Sequence, residues 1–451
     1  MRIAMNYPYA LHPLAVQPRP DGTTEIRNQE SGDHLSVSST FARILLACDG
    51  QSTVDEIVQR LVHLHQISPD RIRADVTGVL QQLAEAGFLA FTSSPCASPI
   101  FSFPSPLDPP LRLVYLELTN LCNLRCLHCY NESGPNGALP EVDWQQIVAQ
   151  LKRLGVLILV LTGGEPLMYP GLPILMETIK AQGMAFALFT NAFALTAERL
   201  AEMQSCRPEI LCISLDGATA ATHDYIRGRP CFDRIIKRVR QAVDAGFRVR
   251  LGAVLYRHNI NEVADLLRLA SELGVAELRM ETFMAWGRGL GNMDLQVPFR
   301  KVRQIATTVT EAAKQLVAED RYLPRLHFDG IACLGSKCDT QDIVYPFCGV
   351  GREICLIQPN GDVIPCALLR DSHFVAGNVL EHSLEDIWEN SPVFDALRRH
   401  ELADIPRCRT CTHMSTCRGG CRAKAYLFHG DLCAPDDYMC YSLGVLPGEA
   451  T

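Results

Sequence analysis

Cys122, Cys126 and Cys129 stand in a C-x3-C-x2-C loop directly after the strand-like apolar run at 113–118. No other stretch limits so sharply what this chain can become. A cubane iron–sulfur cluster has four irons and usually takes four cysteine ligands. Three close thiols with no fourth in the loop therefore point to a cluster with one iron open to a substrate. The competing readings are a zinc loop or three unrelated thiols, and the loop alone does not separate them.

Composition narrows the field. The chain has 451 residues, enough for two to three domains, and 19 cysteines. In a small secreted protein such cysteines would read as disulfides; in a chain of this size metal binding is the better reading. An iron–sulfur protein needs a reducing compartment, and the N-terminus carries no apolar signal core, so the expected location is cytoplasmic. The net charge of −8 gives no polycationic surface, which argues against nucleic acid as a partner. No run of about eighteen apolar residues occurs, so neither a spanning helix nor a membrane partner is expected.

Punctuation divides the chain into four parts: 1–92, a Pro/Ser-rich linker at 93–112, 113–330 and 331–451. The first part has extended runs near Leu14 and Thr24, with a turn at Pro20, Asp21 and Gly22 between them. Three helical patterns follow. The second opens at Thr53 with Glu56 three residues on, a capping box, and places Val54, Ile57, Val58, Leu61 and Val62 on one face. Strands with three helices at this size give a winged-helix-like domain. From 113 to about 285 strand-like runs at 113–118, 157–162, 185–189, 210–215, 249–255 and 277–281 alternate with helical ones, which argues an α/β fold with a parallel sheet.

The cysteine loop resembles the signature of the radical S-adenosylmethionine (SAM) superfamily. The resemblance implies a partial (β/α)6 barrel, a [4Fe-4S] cluster on Cys122, Cys126 and Cys129, and SAM chelated at the open iron. It also implies cofactor contacts after successive strands: Gly163, Gly164, Glu165 and Pro166 toward the methionine amino group, and Asn191, Ser214 and Asp216 toward ribose and carboxylate. Arg227 is a candidate for the carboxylate by charge-assisted pairing; a surface salt bridge is the alternative. The family motif reads Thr-Asn-Gly, and here Ala192 follows Asn191.

The C-terminal cysteines resemble the SPASM extension, which holds one or two auxiliary [4Fe-4S] clusters. By position, Cys348, Cys355, Cys366 and Cys421 would hold the first, and Cys408, Cys411, Cys417 and Cys440 the second. Cys433 competes with Cys440, while Cys333 and Cys338 stay unassigned. Cys48, Cys206, Cys212 and Cys231 read as small buried hydrophobes. Leu384, Ile387, Trp388 and Leu397 suggest an amphipathic helix on the cluster domain.

Asp49 to Val58 and Leu83 to Leu89 resemble the small peptide chaperone of pyrroloquinoline quinone biosynthesis. That resemblance implies a leader peptide adding a strand to an exposed sheet edge. The assembly as a whole resembles radical SAM/SPASM peptide maturases of the sactionine-synthase type. It implies cleavage of SAM to a 5′-deoxyadenosyl radical, hydrogen abstraction from a ribosomally made precursor peptide, and a thioether or other cross-link, with ferredoxin or flavodoxin as electron donor. Two alternatives stand. One is a radical SAM/SPASM enzyme of tetrapyrrole or redox-cofactor biosynthesis, whose pattern fits 348–363. The other is a non-catalytic metal-cluster or electron-transfer protein.

Overall fold

The computed structural model describes the chain from Tyr7 to Val445 apart from 12–13, 19–22, 29–33, 49, 51, 66–67, 95–99, 103–106, 108, 132–137, 157, 329–330, 334–347, 400–403, 414–416 and 418. It divides into two compact units, Met1–Pro110 and Leu111–Thr451.

In the first unit, strands β1 (Tyr7–Ala10) and β5 (Leu89–Thr92) pair antiparallel. A second sheet has the order β4 (His34–Ser38), β3 (Thr23–Asn28), β2 (Leu14–Pro18), β6 (Ile100–Ser102). Helices α1 (Ser39–Leu46), α2 (Val54–His65) and α3 (Pro69–Glu85) complete it. The capping box forms as its spacing requires: Thr53 N donates to Glu56 Oε2 at 2.8 Å and Glu56 N to Thr53 Oγ1 at 3.3 Å. Val54, Ile57, Val58, Val76, Leu80 and Leu83 then share one core with Leu14 and Ile26. The turn expected at 20–22 lies outside the described residues. Within the segment expected as a linker, Ile100–Ser102 pairs parallel with β2 and so belongs to this unit's sheet.

The second unit is built on β7 (Leu113–Glu117), β8 (Ile158–Thr162), β9 (Ala185–Thr190), β10 (Ile210–Ser214), β11 (Val249–Leu255) and β12 (Glu277–Thr282), all parallel in sequence order. Helices α4 (Glu141–Arg153), α5 (Leu172–Ala181), α6 (Ala197–Glu202), α7 (Ala220–Arg227), α8 (Phe232–Asp244) and α9 (Val263–Glu272) connect them. This is the expected partial barrel of βα units. α10 (Phe299–Ala318) adds β13 (Arg325–Phe328), also parallel, and β14 (Ile331–Cys333) closes that edge antiparallel. The strands are apolar because the sheet is covered: Val114, Leu159, Leu161, Leu188, Leu211 and Leu251 are all buried.

The C-terminal module joins the other edge of this sheet. β15 (Ile354–Ile357) pairs parallel with β7, and β16 (Asp362–Ile364) and β17 (Gly377–Asn378) follow antiparallel. Cysteines far apart in sequence are thus tied to the strand that precedes the Cys122 loop. The expected amphipathic helix is two helices, α11 (Leu384–Asn390) and α12 (Pro392–Arg399). Pro392 has no N–H to continue the first and a fixed φ suited to starting the second. Leu384, Ile387, Trp388 and Leu397 are nevertheless all buried. The last helices are α13 (Arg422–His429) and α14 (Asp437–Ser442). They pack on α10 through Phe299, whose ring lies 4.5 Å from Tyr438 and 5.1 Å from Phe428. Among the described residues no helix is long and apolar enough to cross a membrane.

Candidate iron–sulfur and substrate site

β7 ends at Glu117, and the cysteine loop begins at the C-terminal rim of the sheet, where the βα loops of such barrels build sites. Neighbouring strands supply donors to its sulfurs. Asn191 Nδ2, after β9, lies 3.7 Å from Cys122 Sγ and 2.8 Å from Asn123 Oδ1. Arg227 Nη1, at the end of α7, lies 3.7 Å from Cys126 Sγ. Leu127 N donates to Ile226 O at 2.8 Å and fixes the loop's far side. Burial pushes the Cys122 thiol up to about 11 and raises Cys126 as well, so both hold their protons until a metal displaces them.

The spacing of the sulfurs tests the zinc reading. A zinc ion with Zn–S bonds of ~2.3 Å would hold its thiolates roughly 3.8 Å apart. Among the described residues the sole trio of candidate ligand atoms lying within 4.8 Å of one another is His223, Asp224 and Cys231. The Cys122, Cys126 and Cys129 sulfurs are not all drawn within that distance of one another. The His223 trio is a hydrogen-bonded support rather than a metal site. Asp216 N donates to His223 Nδ1 at 3.1 Å, which leaves Nε2 protonated and 3.4 Å from Cys231 Sγ. Asp224 Oδ1 is taken by the N–H groups of Cys231 and Phe232, both at 2.8 Å. Burial lowers His223 to about 4, keeping it neutral.

The Gly163–Pro166 turn lies against the cysteine loop. Gly164 N donates to Thr119 O at 2.6 Å and Glu165 N to Leu121 O at 2.8 Å. A Cβ on Gly164 would come within 2.2 Å of Leu121 O, and one on Gly163, whose φ is +136°, within 2.6 Å of Thr119 O. Only glycine permits this approach. Glu165 is fully buried, and its carboxylate accepts from Thr190 Oγ1 at 2.6 Å, Asn191 N at 2.7 Å and Leu167 N at 3.1 Å. Burial raises its pKa in spite of these bonds. Its carboxylate thus braces the ends of β8 and β9. Ala192 takes the left-handed φ of +56° expected of the family's glycine, with no exposed surface.

Asp216 and Arg227 are partners of each other. Arg227 Nε lies 2.6 Å from Asp216 Oδ2, both residues are buried, and Val254 N donates to Asp216 Oδ1 at 2.9 Å. Burial would raise the Asp216 carboxyl, but Arg227, His128 and His223 outweigh it and hold it low. Burial opposes the Arg227 charge, and Asp216 and Cys126 more than restore it. Arg227 is accordingly not a surface salt bridge: it is buried and carries fixed positive charge to the Cys126 sulfur. Ser214 is half-buried at the rim end of β10.

The C-terminal cysteines fall into two groups. Burial and the nearby Cys348 push Cys421 up strongly, and Cys366 is its neighbour too. Cys440 shares surroundings with Cys417 and Cys408, and Cys417 with Cys408 and Cys411. Cys433 instead neighbours Asp431, Asp404 and Arg422, which leaves Cys440 with the second group. Cys355 does not join Cys348, Cys366 and Cys421. It sits in β15 in register with Val114, fully buried, and side chains in register on parallel strands share a face. Tyr115, one residue on, has Cys366, Arg279 and Arg250 as neighbours, so Cys355 points to the opposite side of the sheet. Cys333 and Cys338 have no described side chain. Cys48, Cys206, Cys212 and Cys231 are buried, as expected.

Three groups were missed by sequence reasoning. Glu117 and Arg370 form a two-bond ion pair at 2.8 Å each. Asp436 is buried and accepts from Cys421 N at 2.8 Å, beside both C-terminal groups. Arg279 and Glu281 pair on β12 with Nε to Oε1 at 2.8 Å, and Tyr115 and Cys212 are among the neighbours of Arg279. The available signal was a charge at the end of an apolar strand, at Glu117 and again at Glu281.

Comparison with known proteins agrees with this geometry. Residues 116–270 match the radical SAM superfamily, 348–412 an iron-sulfur cluster-binding domain (SPASM), and 26–89 coenzyme PQQ synthesis protein D. The chain is 32% identical over 349 residues to mycofactocin maturase MftC of Mycobacterium tuberculosis, covering 76% of this chain and 86% of that protein. It is 30% identical over 339 residues to the PqqA peptide cyclase of Rhizobium meliloti, covering 73% and 86% respectively. Among solved structures, Streptococcus suis SuiB bound to precursor peptide SuiA superposes with a TM-score of 0.67 at 16% identity, covering 96% of this chain and 99% of that one.

Proposed function

This chain belongs to the radical SAM superfamily, as a member with SPASM and PqqD domains, and from that premise we propose how its residues divide the work of a peptide maturase. Cys122, Cys126 and Cys129 hold the [4Fe-4S] cluster that binds SAM. Bound together, cluster and SAM supply a 5′-deoxyadenosyl radical by reductive cleavage, and the protein's share is placement and exclusion of water. Asn191 and Arg227 donate to the Cys122 and Cys126 sulfurs and fix their orientation. Asp216 holds Arg227 in place, and the side-chain-free Gly163 and Gly164 let their turn pack against the backbone of the cysteine loop, beside the site for the methionine end of SAM.

The substrate is a ribosomally made precursor peptide, and the product carries a new cross-link, a thioether being one form. The peptide's leader adds along β4, the outer strand of the first unit's four-stranded sheet. Cys348, Cys366 and Cys421 hold the first auxiliary cluster and Cys408, Cys411, Cys417 and Cys440 the second. Ferredoxin or flavodoxin delivers the electron. The observation that carries this reading is a cysteine triad at the C-terminal rim of the sheet, with Asn191 after β9 and Arg227 at the end of α7 reaching its sulfurs. An anaerobic assay for 5′-deoxyadenosine with dithionite as reductant tests it. The wild type should cleave SAM, and Cys126→Ala should lose cleavage while retaining auxiliary iron. Full cleavage by Cys126→Ala would remove the assignment.

A further inference from the structure

The Glu117–Arg370 pair belongs to neither cysteine group, yet it lies between them in the fold. Glu117 is the last residue of β7, fully buried, and leads into the loop that carries Cys122, Cys126 and Cys129. Arg370 comes from the C-terminal module, four residues after Cys366. Its Nη1 and Nη2 donate to the two carboxylate oxygens at 2.8 Å each, the forked geometry that makes arginine pairs rigid. The same guanidinium lies 5.4 Å from the ring centroid of Tyr130, the residue after Cys129. One positive charge, clamped by one buried carboxylate, therefore touches the segments bearing both cysteine groups.

We propose that Glu117 and Arg370 form an electrostatic tie between the SAM-binding and the first auxiliary cysteine sites, with Arg370 a positioning residue whose charge sets the reduction potentials of these two iron–sulfur centres together. This rests on the assignment of Cys122, Cys126 and Cys129 and of Cys348, Cys366 and Cys421 as cluster ligands. Burying an ion pair is costly, and a hydrophobic pair of like volume would often hold two segments together as well. A charged pair at this place acts in addition through its field. A guanidinium fixed here favours negative charge on the groups around it. Burial opposes the charge on Arg370, and Glu117, Tyr130 and Cys129 more than offset it. Cluster potentials respond to nearby charge in the same sense: positive charge favours the reduced, more negative form.

The two halves of the pair then have opposite effects, which a purely mechanical tie would not give. Midpoint potentials of both centres are measured by EPR-monitored redox titration of the reconstituted, full-length protein, alongside thermal melts. Glu117→Gln leaves the guanidinium unneutralised, so both midpoints should move to higher potential; this variant is decisive. Arg370→Gln removes the positive charge, so both should fall. Arg370→Lys keeps the charge and loses the fork, so its midpoints should stay near wild type while its melt drops. Glu117→Gln midpoints that stay put or fall would overturn the proposal even where the clusters form normally. A wild type with no cluster signals would overturn the ligand assignment itself, and this inference with it.

Discussion

Replacing Gly164 by alanine should disable the site without touching a cysteine. The new Cβ would sit 2.2 Å from Leu121 O, 2.7 Å from Leu121 C and 2.8 Å from Asn120 O, where ordinary contact begins at 3.4 Å. All three atoms are backbone, so no side chain can swing aside, and the 120–121 peptide must retreat by roughly 1 Å, a displacement that can cost on the order of 100-fold in rate. That peptide immediately precedes Cys122 and is pinned by the bond from Glu165 N to Leu121 O at 2.8 Å, next to the one from Gly164 N to Thr119 O at 2.6 Å. Stretching these two bonds costs about 1 kcal/mol each, and the crowding itself about 1–3 kcal/mol. The expected loss of stability is therefore on the order of 3–5 kcal/mol, with 5′-deoxyadenosine formation falling at least ~100-fold. Urea melts give the first quantity and anaerobic SAM cleavage the second. A variant that cleaves SAM within about twofold of wild type and melts unchanged would refute the claim that backbone contact positions the cysteine loop.

Asp216→Ala strands a buried guanidinium, so urea denaturation should show a loss of about 3–5 kcal/mol; a loss below ~1 kcal/mol would mean that Arg227 finds another partner. Ala192 already occupies left-handed backbone, so Ala192→Gly should change stability by less than about 1 kcal/mol, whereas β-branched Ala192→Val should cost ~2 kcal/mol or more. Equal melts for both would contradict the strain argument. Burial would raise the Glu277 carboxyl, but His327, 3.6 Å away, and the charges of Arg250 and Arg248 pull it down to about 2. Its folded pKa is thus below its unfolded one, so its contribution, on the order of 3 kcal/mol, is present above about pH 4.5 and lost as pH falls toward about 2. Wild type and Glu277→Gln should therefore differ in melting at about pH 6 and converge at about pH 2; a constant gap would exclude the linkage.

Much of the fold was legible because local chemistry and global layout agree. The Thr53–Glu56 box forms as written, since a capping hydroxyl and a carboxylate three residues on need nothing from the rest of the chain. The six parallel strands, covered on their faces, advertise themselves as apolar runs. The long expected helix over Leu384–Leu397 broke at Pro392 because a missing N–H outweighs a continuous apolar stripe.

The roles of charged residues were less legible, because a charge does not announce its partner. Glu165 reads as a ligand-facing acid, and its carboxylate also accepts from Thr190, Asn191 and Leu167. Arg227 reads as a clamp and is held by Asp216 against Cys126. Cysteine spacing pointed to the triad, because thiols crowded in a loop remain neighbours however the chain folds, whereas the C-terminal sets came from a family resemblance. Which thiols keep company across long gaps was decided by strand register. β15 lies in register with β7, so Cys355 faces away from Cys348, Cys366 and Cys421 despite its place in the sequence pattern. The pairing of Glu117 with Arg370, 253 residues apart, likewise exists only because that sheet edge closes.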